Sequence, residues 1–181
     1  MDARRLYGCL LWLALSLLPL GAASAAWYQV ELIVFRHTVP AAPEDAEVAP
    51  LELPPFLSVP VTPLTDAVGS LRMRDIYTLL QQSNRYQPLL HLAWRQPANN
   101  RSAASAVAIP AGWTPESPAP ATGPYGLVRI YQQRFLHVEL DLRLPTADGV
   151  QVNRQSRRIN SNEIHYLDHP ELGALLLVTP L

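Results

Sequence analysis

The sequence predicts an α+β fold: a mostly antiparallel sheet of about five strands with one main helix, a ferredoxin-like variant. Three observations predict it. Residues 126–144, GLVRIYQQRFLHVELDLRL, place Val128, Ile130, Leu136, Val138, Leu140, Leu142 and Leu144 at even positions and mainly polar residues at odd ones. Such alternation belongs to strand with one face in a core. Only residues 71–84 carry a clear helical period. Finally, one helix cannot cover both faces of a parallel sheet, so the strands must pair mostly antiparallel, with the second helix reduced to a turn.

In order along the chain, Arg4 and Arg5 precede an apolar run, Leu6 to Leu20, and the small residues Gly21 to Ala25. This reads as a secretory signal peptide over residues 1–25, cleaved after Ala25. Cys9 lacks an apolar run before it and is not read as a lipidation site. Residues 26–181 are then expected to form a single exported domain with no stable membrane insertion. Its first strand is Trp27–His37, apolar on both parities between Val30 and Phe35 and hence central.

Residues 38–70 hold seven of the eighteen prolines and read as a Pro-rich loop. In Leu71–Asn84, Met73, Ile76, Tyr77 and Leu80 share one helical face, with Ser70 as the expected N-cap. Tyr86–Arg95 is a second strand with Pro88 near its start. Residues 96–124, with six prolines, read as a second Pro-rich loop in which Trp113 is an anchor. At nineteen residues the 126–144 strand is too long to run straight, so a bend or bulge is expected at Gln132-Gln133-Arg134. Thr146-Ala147-Asp148-Gly149 signals a hairpin into Val150–Asn160. Glu163–Leu167 is another short strand. Asp168-His169-Pro170-Glu171 has capping-box spacing and predicts one helical turn closed by Gly173, before a last strand at Leu175–Thr179.

Composition excludes more than it suggests. All fourteen basic residues are arginine, and the one cysteine lies in the leader. A Walker A loop, a lysine Schiff base and a Ser-x-x-Lys site all need a lysine, and thiol chemistry needs a cysteine. Residues 26–181 keep 12 arginines against 14 carboxylates, so no basic footprint for nucleic acid is present. No cofactor is implied. His165 and His169 stand four apart, but the expected helix starts between them, which argues against a shared metal and for backbone hydrogen bonds. His137, Glu139, Asp141 and Arg143 form a polar ladder on one strand face. Its carboxylates could serve as a glycosidase pair, but pairing with Arg154, Arg157 or Arg158 on the next strand explains them more simply.

Arg157-Arg158 is the sharpest feature. Neighbours on a strand point to opposite faces, so one can pair internally while the other holds a carboxylate or phosphate in bidentate fashion. The candidate ligand-binding residues are Arg157, Arg158, His137, His165, Tyr166 and Arg134, with Tyr131 and Phe135 as aromatics able to stack on sugar rings.

Several blocks resemble the CsiV family of periplasmic peptidoglycan-binding proteins. They are Trp27-Tyr28-x-Val30-Glu31-x-Ile33-Val34-Phe35, Pro88-Leu89-Leu90-His91-x-x-Trp94-Arg95-Gln96 and Arg134-Phe135-Leu136-His137. The longest runs from Gln155-Ser156-Arg157-Arg158 through Glu163-Ile164-His165-Tyr166-Leu167-Asp168-His169-Pro170 to Gly173. The resemblance implies a non-enzymatic protein of the Gram-negative envelope that binds peptidoglycan. It also implies support for cell-wall synthesis and cell shape through a class A penicillin-binding protein and its outer-membrane lipoprotein activator. The rival expectation is an envelope adaptor that contacts proteins only.

Overall fold

The computed structural model describes residues 26–38, 59–64 and 70–181. The leader and most of the first Pro-rich segment, including its Pro54-Pro55-Phe56-Leu57 run, lie outside them. The elements are β1 (Trp27–His37), β2 (Val61–Pro63), α1 (Arg74–Gln82), β3 (Tyr86–Pro97), β4 (Ala106–Ile109), β5 (Tyr125–Gln132), β6 (Leu136–Thr146), β7 (Gly149–Ile159), β8 (Ile164–Leu167) and β9 (Leu172–Pro180). They build two sheets, one ordered β3-β1-β9-β8 and the other β2-β4-β5-β6-β7, antiparallel except where β2 joins β4.

The fold is therefore mostly β, with nine strands in two sheets among the described residues where about five in a ferredoxin-like sheet were expected. Two features account for the difference. The 126–144 stretch does not bend but folds back at Gln133-Arg134-Phe135, pairing Gln132 with Leu136 and Arg129 with Glu139. Alternation alone cannot separate a bent strand from a tight hairpin, because a fold-back through three residues preserves the parity. In addition, the second Pro-rich segment contains β4, whose Ala-Val-Ala-Ile is wholly buried. The second sheet is thereby large enough to cover the first, and no second helix is needed.

Between the sheets lies one core. Val30, Leu32 and Val34 of β1, Leu92 and Trp94 of β3, and Leu172, Ala174, Leu176 and Val178 of β9 meet Val128, Ile130 and the even-numbered leucines of β6. The other face of β1 carries Ile33 and Phe35, which pack with Met73, Ile76, Tyr77 and Leu80 under α1. This makes β1 central and buried on both faces, as its sequence indicates. Pro88 marks a bulge in the β1–β3 ladder between Val34 and Phe35, consistent with its missing donor.

Ser70 does not cap α1. Glu31, on β1, reaches across and accepts from the backbone N–H of Arg72 (2.8 Å) and of Met73 (2.7 Å). Nor does Asp168 start a helical turn. His169 Nδ1 instead accepts from the amides of Glu171 (3.2 Å) and Leu172 (3.1 Å), and burial pushes its pKa down, which keeps that nitrogen an acceptor. Gly173 lies inside β9 opposite Phe35, whose ring would stand 2.5 Å from a Cβ there.

Gly126 is held where no other residue fits. Its φ is +152°, and a Cβ would lie 2.0 Å from the Asp141 carbonyl oxygen. Gly126→Ala is expected to cost about 3 kcal/mol or more, since the clash is with backbone and cannot relax by a rotamer change. A urea titration reads this as a lower midpoint at unchanged slope.

Candidate functional site

The outer face of the five-stranded sheet carries the odd residues of β5 and β6 and the even residues of β7. Cross-strand register sets them in rows: Tyr131, His137 and Arg158; Arg129, Glu139 and Ser156; Leu127, Asp141 and Arg154. The segment between β3 and β4 folds over the first two rows and brings Arg101 onto them. Glu139 accepts from Arg101 Nη2 at 3.0 Å and from Arg129 Nη1 at 3.1 Å. Arg129 also donates to the carbonyls of Ala104 and Arg101. Asp141 accepts from Arg154 at 2.7 Å and from Arg143 at 3.2 Å. The expected pairing of the ladder with Arg154 is therefore present, but Arg101, Arg129 and Arg143 supply the other partners.

These pairs engage both carboxylates fully. Both are buried, and each of their oxygens already accepts from a guanidinium. This is the pairing of the polar ladder with neighbouring arginines, with each carboxylate held between two guanidinium groups.

At one end of this face the charges become accessible. Tyr131 and His137 stack with ring centroids 5.1 Å apart and planes 3° from parallel. The guanidinium carbons of Arg101 and Arg129 each lie 5.6 Å from the Tyr131 centroid. Burial, followed by the Glu139 charge, pushes the Tyr131 pKa up, so its hydroxyl stays protonated. Beside this stack, the β5–β6 turn presents Phe135, 42% exposed, with Arg158 4.5 Å and Arg134 5.4 Å from its centroid. Neither Arg134 nor Arg158 has a carboxylate partner among the described residues.

The six candidate residues therefore divide. Arg134, His137 and Arg158 share the turn end of the outer face. Arg157 has the opposite parity, as adjacent strand residues must, and donates to the Tyr166 carbonyl at 2.9 Å across the seam between β7 and β8. His165 lies 3.1 Å from the Asn160 N–H and 3.0 Å from its carbonyl. Tyr166 sits on the far face of the other sheet, stacked on Phe35. Its hydroxyl donates to Asp168 and lies 3.3 Å from His37 Nε2. Burial and the Asp168 bond raise its pKa. Tyr166 cannot act with Arg158, and His165 and His169 turn to separate backbone groups.

Sequence reasoning missed Arg101 and Arg129. Arg101 gives no local signal, because it lies in a loop and reaches its partner 38 residues away. Arg129 is different: residues 129 and 139 are equidistant from Arg134, and their opposite charges mark the hairpin. Trp113 anchors its segment as expected, edge-on to Tyr125 at 5.1 Å.

No helix among the described residues is long and apolar enough to cross a membrane. Residues 61–181 match the model of a family described as "Peptidoglycan-binding protein, CsiV". The match begins at β2 and contains the whole face just described, though not β1. No curated protein and no solved structure matches the chain. A family model that spans well over half of the sequence, including every candidate ligand residue, settles the relationship: this chain belongs to the CsiV family of peptidoglycan-binding proteins.

Proposed function

We propose that the protein is exported through residues 1–25, resides in the periplasm and binds peptidoglycan without cleaving it, through the surface formed by Arg134, Phe135, Arg158 and His137, with Tyr131 buried beneath it as support. The observation that carries this reading is the exposed Phe135 ring flanked by two arginines that lack a carboxylate partner among the described residues. Stem peptides and muramyl groups bring carboxylates on a chain of sugar rings. Guanidinium groups grip carboxylates in bidentate fashion, and an aromatic face supports an apolar sugar face. In the cell this binding would support wall synthesis by a class A penicillin-binding protein together with its outer-membrane lipoprotein activator.

The test is co-sedimentation with purified sacculi. Arg134→Ala/Arg158→Ala is expected to weaken retention about tenfold or more, as two charge-assisted contacts at about 1 kcal/mol each would give. Arg157→Ala, on the opposite parity, is expected to leave retention unchanged. Equal retention of the folded double variant would remove this surface from the reading. Failure of the wild-type protein to sediment would favour a protein-only adaptor.

A further inference from the structure

We infer that a second binding site lies where β2 and β3, the edge strands of the two sheets, approach one another, and that it takes an uncharged N-acetylated sugar ring of the glycan strand. The inference rests on the peptidoglycan reading above and names the part of that polymer which a cationic platform does not suit.

A cleft of about 250 Å³ opens there, lined among others by Trp27, Thr62, Gln96, Asn99 and Ser105. Gln96 is 7% exposed. Its Oε1 accepts from Trp94 Nε1 at 2.6 Å, and since an indole N–H only donates, this bond fixes which way round the amide lies. The Nε2 end of Gln96 has no hydrogen-bond partner among the described residues, yet it is not sealed from solvent. A donor that reaches solvent through the cleft bonds to water there, and an acceptor on a ligand seated in the cleft can take that water's place.

The rest of the lining fits a sugar better than an ion. Among the described residues no carboxylate borders the cleft and Arg95 is the one charged residue lining it; Thr62, Asn99 and Ser105 contribute neutral hydroxyl and amide groups. Trp27, 52% exposed, forms the lip. Neutral donors and acceptors beneath an aromatic lip suit the hydroxyls, acetamido group and apolar face of a pyranose. The volume is below the ~300–1,000 Å³ of pockets for drug-sized ligands, which matches one ring and not an oligomer.

The position supports the assignment independently. The Asn99 carbonyl accepts from the Gln132 N–H at 2.8 Å, immediately before the turn that presents Arg134 and Phe135. Two residues after Asn99, Arg101 lies over Tyr131. The segment from Ala98 to Ser105 is thus the wall of the cleft on one side and the rim of the cationic surface on the other. A glycan with acidic peptide branches would meet a neutral cleft and a cationic platform side by side.

Chitotriose, which has N-acetylated rings but no lactyl or peptide carboxylate, is the probe. Titrated into ¹⁵N-labelled protein purified from the envelope, it is expected to shift the Trp27 indole and Gln96 side-chain amide signals. Trp27→Ala and, independently, Asn99→Ala should each weaken that binding about tenfold, the loss of roughly one stacking or hydrogen-bond contact. Arg134→Ala/Arg158→Ala should leave chitotriose binding unchanged while lowering sacculus retention. No shift at Trp27 and Gln96 with millimolar chitotriose, or a shift that both cleft variants retain, overturns the assignment. If wild-type protein still sediments with sacculi in that case, the cleft alone is wrong; if it does not, the peptidoglycan reading fails as well.

Discussion

Glu31→Ala is expected to lower the unfolding free energy by about 3–5 kcal/mol, and with it the melting temperature by about 10 °C for a chain of this size. The side chain is 1% exposed and satisfies three donors at once: the Arg72 and Met73 amides and His91 Nε2, 2.8 Å away. His91 is itself stacked on Tyr77 of α1, with ring centroids 4.8 Å apart. Removing the carboxylate strands two amides at the helix start and a buried imidazole donor. Glu31→Gln keeps one acceptor and should lose about half as much. Hydrogen exchange then separates the causes, since loss of the cap frees the α1 amides while those of β6 keep their protection. Equal stability of Glu31→Ala and wild type would show that α1 does not depend on this contact.

Glu139→Ala should cost a similar amount, about 3–5 kcal/mol, because it leaves Arg129 buried without its counter-ion. A functional loss is expected as well. Arg101, whose side chain is 53% exposed, is held over Tyr131 by that carboxylate, so its release loosens the segment shared by the platform and the cleft. Both sacculus retention and chitotriose binding should fall. Glu139→Leu/Arg129→Met is the informative partner, since replacing a buried pair with apolar side chains of similar volume is often neutral in stability. That double variant should unfold near the wild-type midpoint but bind less well. If it binds as wild type, Arg101 does not need Glu139 to hold its place.

The elements legible in the sequence were those encoded within a dozen residues. β1 declares itself by apolar residues on both parities, α1 by Met73, Ile76, Tyr77 and Leu80, and the β6–β7 hairpin by Asp148-Gly149. What could not be read depends on distant partners. The cap on α1 comes from Glu31, 41 and 42 residues before the amides it satisfies. β4 hides among prolines because four residues are too few for a period, and it is a strand because β2 and β5 pair with it on either side. At the site, the rule of alternating faces correctly split Arg157 from Arg158. It could not say that Tyr166 and His165 lie on another sheet, which follows from the two-sheet architecture.

The seam between β7 and β8 has a further consequence. Asn153 donates to the carbonyls of Leu167 and Leu172, Gln155 to that of Asp168, and Arg157 to that of Tyr166. Side chains of one sheet thereby occupy acceptors along the border of the other. A strand from a second molecule approaching there finds those oxygens taken, so fibre-like stacking is blocked on the flank where an open border would otherwise invite it.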